Sequence, residues 1–175
     1  MQHPAPLLHP NGTLFLVCGS SVLYSAPALA GPWTVAAAAP FNNRSNAPTG
    51  SYEDAFIWID PRGAWHALFH VWSEVIAPTC ADSNVSAHAF SEDGLAWHFS
   101  PRQPYNTSVA LDDGTSFITP TRERPKLFFG SDGEPSHLFN GAVRDISSCE
   151  PFWCSHCKML SQWTINLAVP LLGKR

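Results

Sequence analysis

At 175 residues, with 45% hydrophobic and 12% aromatic content, the chain carries enough apolar material for a buried core, which excludes a disordered protein. Charged residues make up only 14%, and the net charge of −4 comes without a basic block, so nothing recommends a nucleic-acid partner. No apolar run reaches the roughly 18 residues of a membrane span, and no long stretch repeats at helical spacing.

Sixteen prolines and 11 glycines separate short apolar runs at residues 13–17, 56–59, 65–71 and 126–129, the pattern of an all-β chain with frequent turns. Three segments align on a turn glycine. A polar leader (Gln2-His3-Pro4, Glu53-Asp54-Ala55, Glu123-Arg124-Pro125) is followed by an apolar stretch and a turn ending in Gly12, Gly63 or Gly133. Each predicts a β-hairpin, with a second strand at residues 13–17, 65–71 and 136–139. A further turn closed by a tryptophan recurs at Gly31-Pro32-Trp33 and at residues 91–97. Leader, hairpin and a final strand pair make a four-stranded, blade-like unit of a β-propeller. The expected units are about 2–47, 48–117 and 118–175 within one domain. Three blades do not close a ring, so the expectation is an incomplete, N-terminally truncated propeller.

The segments Tyr52 to Gly63, His88 to Trp97 and Arg122 to Pro125 resemble proteins related to glycoside hydrolase family 43, in the arabinanase, levansucrase and invertase superfamily of five-bladed propellers. The likeness runs in weaker form over residues 2–145, and residues 163–171 look like the closing strand of that group. The resemblance implies a pocket lined by the innermost strand of each blade and holding three carboxylates: a general base, a second acid that tunes and orients, and a general acid. Inverting hydrolysis needs acid and base about 6.5–9.5 Å apart, a separation that carboxylates on different blades provide.

On that resemblance Asp54 stands at the second acid and Glu123 at the general acid. Asp54 has an alternative as a turn-bonding residue at a strand start, and Glu123 as half of a structural Arg-Glu pair. Strand alternation turns Arg122 and Arg124 away from Glu123, and it lets only one of Glu53 and Asp54 face the pocket, the resemblance favouring Asp54. The position of the base holds His3. Glu53, Trp58, His88 and Arg124 complete the expected substrate-binding set. His66 and His70 share one strand face, and His88 or His137 could sit near a central ion, with packing the commoner role for such histidines. No cofactor is expected beyond a possible structural calcium.

Four of the eight asparagines, Asn11, Asn43, Asn84 and Asn106, lie in N-x-[ST] sequons, against about one at random, which points to a secreted glycoprotein. Cys18, Cys80, Cys149, Cys154 and Cys157 suit disulfides there, with one left over. The run from Cys149 to Cys157, with His156, is too crowded for a usual zinc site, so a local disulfide is favoured. Packing accounts for most of the seven tryptophans, and some can stack on sugar rings. The leading function is acid/base hydrolysis of a glycosidic bond with carbohydrate as partner. Its rivals are a carbohydrate-binding or cell-surface propeller that lacks the base, and a degenerate fragment.

Overall fold

The computed structural model describes residues 3–19, 22–43, 45–47, 49–72, 85–119, 122–143 and 164–171. They form thirteen strands and no helix, and so none long and apolar enough to cross a membrane. The first sheet runs β1 (Ala5–Leu8), β2 (Leu14–Cys18), β3 (Val22–Ala26), β4 (Thr34–Ala37) in spatial order. The second runs β5 (Ser51–Ile59), β6 (Trp65–Trp72), β7 (Ser86–Ser91), β8 (His98–Phe99). A hairpin of β9 (Ser108–Ala110) and β10 (Ser116–Ile118) follows. The third sheet is β11 (Arg122–Phe129), β12 (Pro135–Val143), β13 (Thr164–Pro170). Every pairing is antiparallel.

Turn chemistry explains the hairpins. In four of them one residue's N–H bonds the carbonyl four positions on, and a glycine three positions on bonds back to its carbonyl: His9 with Thr13 and Gly12, Asp60 with Ala64 and Gly63, Leu111 with Thr115 and Gly114, Gly130 with Glu134 and Gly133. Each of these glycines has a φ between 77° and 89°, open to glycine at little cost. Three of the four are the aligned hairpins, and the fourth, around Gly114, lies outside the repeat read from the sequence.

Side-chain alternation divides the core in three. Ala5, Val17 and Leu23 from the first sheet pack with Phe41 against Ile57, Ala67, Phe69 and Trp97 of the second sheet and its turns. The opposite face of β6 presents Leu68 to Tyr105, Leu127 and Leu138 of the next layer. Val109 and Phe117 of the hairpin cover Ala142, Ile165, Leu167 and Val169 at the other end of the third sheet. Leu138, Asn140 and Ala142 alternate on one buried face of β12, whereas Phe139 and, on β11, Phe128 stay 40% and 60% exposed. Each sheet thus buries a face against its neighbour in sequence, with β1, β5 and β11 as the leading strands.

Cys18 is a free thiol; Cys80, Cys149, Cys154 and Cys157, and with them the expected disulfides, lie outside the described residues, as do Asn84, Trp153 and Trp163. Asn11, Asn43 and Asn106 are exposed.

Candidate functional site

Regular pairing is interrupted near the start of two leading strands, β5 and β11. On β5 the register jumps between Glu53, opposite His70, and Phe56, opposite Leu68, so that Asp54 and Ala55 together oppose a single residue. On β11 the same jump falls between Glu123, opposite Gly141, and Lys126, opposite Phe139, with Arg124 and Pro125 as the extra pair. These are β-bulges, which re-aim side chains. Asp54 and Arg124 have φ of 54° and 51°, and His3, just ahead of β1, has 53°; they are the described non-glycine residues of positive φ. Each stands nine residues before its turn glycine, Gly63, Gly133 or Gly12. The backbone feature belongs to the repeat, and it places one side chain from each leading strand at a common centre.

There the three meet. His3 Nδ1 bonds Asp54 Oδ1, and Arg124 Nε lies 3.8 Å from the same oxygen. His3, Pro4, Asp54, Ala55, Arg124 and Lys126 line a small pocket of about 110 Å³. Asp54 is 7% exposed, whereas the Arg124 side chain is 69% exposed, so the carboxylate forms the floor and the guanidinium the rim. Strain concentrated at such a centre costs about 1–2 kcal/mol for each residue in the left-handed region. Arg124→Gly is therefore expected to raise stability by about 0.5–1 kcal/mol, read from chemical denaturation, while removing the rim cation.

Behind the pocket lies a second polar layer. Buried Arg122 donates from Nε to Asn140 Oδ1 at 2.9 Å and from Nη1 to the Asn106 carbonyl at 3.1 Å, and its guanidinium stacks 4.9 Å from the Tyr105 ring. Burial pushes the Tyr105 hydroxyl above its usual range, with Asp54 and Glu123 adding to the shift against Arg122 and Asn140. Glu123 has one carboxylate oxygen fully enclosed, and its carbonyl accepts from Asn140 Nδ2 at 3.2 Å. Glu53 accepts from His70 Nδ1 at 3.2 Å.

The remaining expected residues sit elsewhere. Trp58 stacks on His66 at 4.9 Å and lies 6.0 Å from His88; with Leu7, Leu8, Ile59 and Phe129 it lines a separate apolar cavity of about 360 Å³ at the hairpin ends. His66 Nδ1 and His88 Nε2 are 3.0 Å apart, and burial, helped by the His66 charge, pushes the His88 imidazole down to about 4. His137 meets Ser136, Phe128 and Phe139 on the opposite side of β12 from Leu138. The structure therefore brings together His3, Asp54 and Arg124, with Glu53 and Glu123 as their strand neighbours, and leaves Trp58 at the other cavity and His88 against His66.

His70, Tyr105, Arg122, Asn140 and Lys126 were not among the expected site residues. The signal for Arg124 beside Asp54 was the leader alignment itself, in which the two hold one repeat position.

Among solved structures, a thermostable family-43 glycoside hydrolase superposes with a TM-score of 0.55 at 12% identity, over 79% of this chain and 40% of that one. The family-43 YxiA protein from Bacillus licheniformis gives 0.53 at 15% identity, over 79% and 34%. The fold is of the family-43 glycoside hydrolase type. The chain spans 40% or less of the length of these two neighbours. No sequence-family description and no curated protein matches it.

Proposed function

We propose that this chain binds carbohydrate in the pocket of His3, Asp54 and Arg124, as a glycan-recognition unit on a glycoside hydrolase fold. The observation that carries this reading is the set of three equivalent positions, which hold one carboxylate between two cation-forming side chains. A carboxylate accepts from sugar hydroxyls, while guanidinium and ammonium groups donate to them, so Asp54, Arg124 and Lys126 offer both halves of hydroxyl recognition. Acid/base hydrolysis instead calls for two carboxyls across the scissile bond, and His3 stands where the family resemblance puts the base.

A second reading keeps catalysis, with Glu123 as general acid and Asp54 as the stabilising carboxylate. It is favoured by the enclosed Glu123 carboxylate, which acts with Asp54 on the Tyr105 hydroxyl. Binding and reducing-sugar release, followed together on a panel of neutral and acidic oligosaccharides, separate the two. Binding without release is expected. Release that Glu123→Gln abolishes would establish the hydrolase, and neither binding nor release would remove both readings.

A further inference from the structure

The structure assigns to Glu53, Asp54 and His70 a binding site for one divalent cation of the zinc, cobalt and nickel class. Each residue offers one ligand atom, and these atoms all lie within 4.8 Å of one another. The bulge creates the group. Glu53 faces His70 across the β5–β6 ladder, and a regular strand would turn the next residue to the other side. The left-handed backbone at Asp54 brings its carboxylate round to the same imidazole.

The spacing suits a tetrahedral ion. Bonds of about 2.0–2.1 Å set neighbouring ligands about 3.4 Å apart. His70 Nδ1 is 3.2 Å from Glu53 Oε1 and 3.9 Å from Asp54 Oδ2, so the two edges bracket that length.

An observation apart from spacing points the same way. Asp54 is 7% exposed, His3 holds its Oδ1, and its buried Oδ2, directed at His70, has no hydrogen-bond partner. A bare buried carboxylate oxygen is costly, and a cation between it and the imidazole removes that cost. Charge balances as well, since two carboxylates neutralise a divalent ion while His70 binds as neutral imidazole. Arg124 approaches the other oxygen, Oδ1, from the solvent side, and so stays clear of the gap. One imidazole and two carboxylates favour a borderline ion over calcium or magnesium, which demand more oxygen ligands. Three protein ligands leave a fourth position open to water or to a sugar hydroxyl.

The test uses the full chain carrying Cys18→Ser, Cys80→Ser, Cys149→Ser, Cys154→Ser and Cys157→Ser, which removes competing thiolates, stripped of metal and titrated with Zn²⁺ against a chromophoric chelator. One equivalent is expected to bind, with His70→Ala and Glu53→Gln each weakening it at least about tenfold. Glu53→Gln keeps the side-chain volume, so it decides the matter if His70→Ala fails to fold by near-UV circular dichroism. Absence of binding, or an affinity unchanged in Glu53→Gln, overturns the assignment.

Discussion

Gly94→Ala is expected to cost about 3 kcal/mol, a large part of the 5–15 kcal/mol that holds a typical domain folded. Gly94 lies in the turn between β7 and β8 at a φ of 76°, where any side chain is strained by about 1–2 kcal/mol. An added Cβ would also lie 2.8–3.0 Å from three ring atoms of Trp65. That indole cannot retreat, because it is 4% exposed and meets Phe15 edge-on at 4.9 Å and Trp97 at 6.5 Å. Overpacking adds about 1–3 kcal/mol. The turn has no slack either, since Gly94 N–H donates to Ser91 Oγ at 2.9 Å and its carbonyl accepts from Trp97 Nε1 at 2.8 Å. Gly63 is the control: its φ is 89°, but nothing lies within 4 Å of an added Cβ, so Gly63→Ala should cost only the backbone strain of about 1–2 kcal/mol. Urea midpoints of the two variants check the difference, and equal losses would contradict the Trp65 contact.

Acid is expected to weaken the fold through His88, well above the range where carboxylates titrate. Its imidazole falls from 6.5 to about 4 on folding because burial disfavours the charged ring and His66 opposes a second charge nearby. The folded pKa is depressed, so the unfolded chain binds the extra proton between about pH 6.5 and pH 4. Stability from this group is complete above pH 6.5 and is lost as pH falls through the window, amounting to about 2–3 kcal/mol by pH 4.5. Asp60 acts lower down. Burial pushes it up, yet bonds from Arg62, Ala64 and His66 outweigh this and hold it at about 2, so its loss comes below pH 3.8. Denaturation midpoints at pH 7 and pH 4.5 should differ less in His88→Gln than in the parent. Parallel losses in both proteins would contradict the assignment to His88.

The hairpins were legible in the sequence because their causes are local. Asn11-Gly12, Arg62-Gly63 and Asp132-Gly133 fix the turns, and the alternation in Leu138, Asn140 and Ala142 reports a face buried in the structure. The hairpin at Gly114 obeys the same turn chemistry but carries only three-residue strands, too short for a period to show. The site was less legible, because its geometry depends on two bulges. Strand alternation says only that Arg124 and Glu123 face opposite ways, whereas the extra residue on β11 and the positive φ are what bring Arg124 to within 3.8 Å of Asp54. His70, Tyr105 and Asn140 come from strands and loops distant in sequence, and no local pattern marks them. What the sequence did hold was the repeat position shared by His3, Asp54 and Arg124.

The account depends on that shared position being the glycan site. Its most direct test is calorimetric titration of the parent and Asp54→Asn with the tightest oligosaccharide from the panel. Asparagine keeps the shape and tolerates the left-handed backbone, so the variant should fold while its affinity falls at least about tenfold. An affinity unchanged in a folded Asp54→Asn would contradict the account and move glycan recognition away from the leading strands.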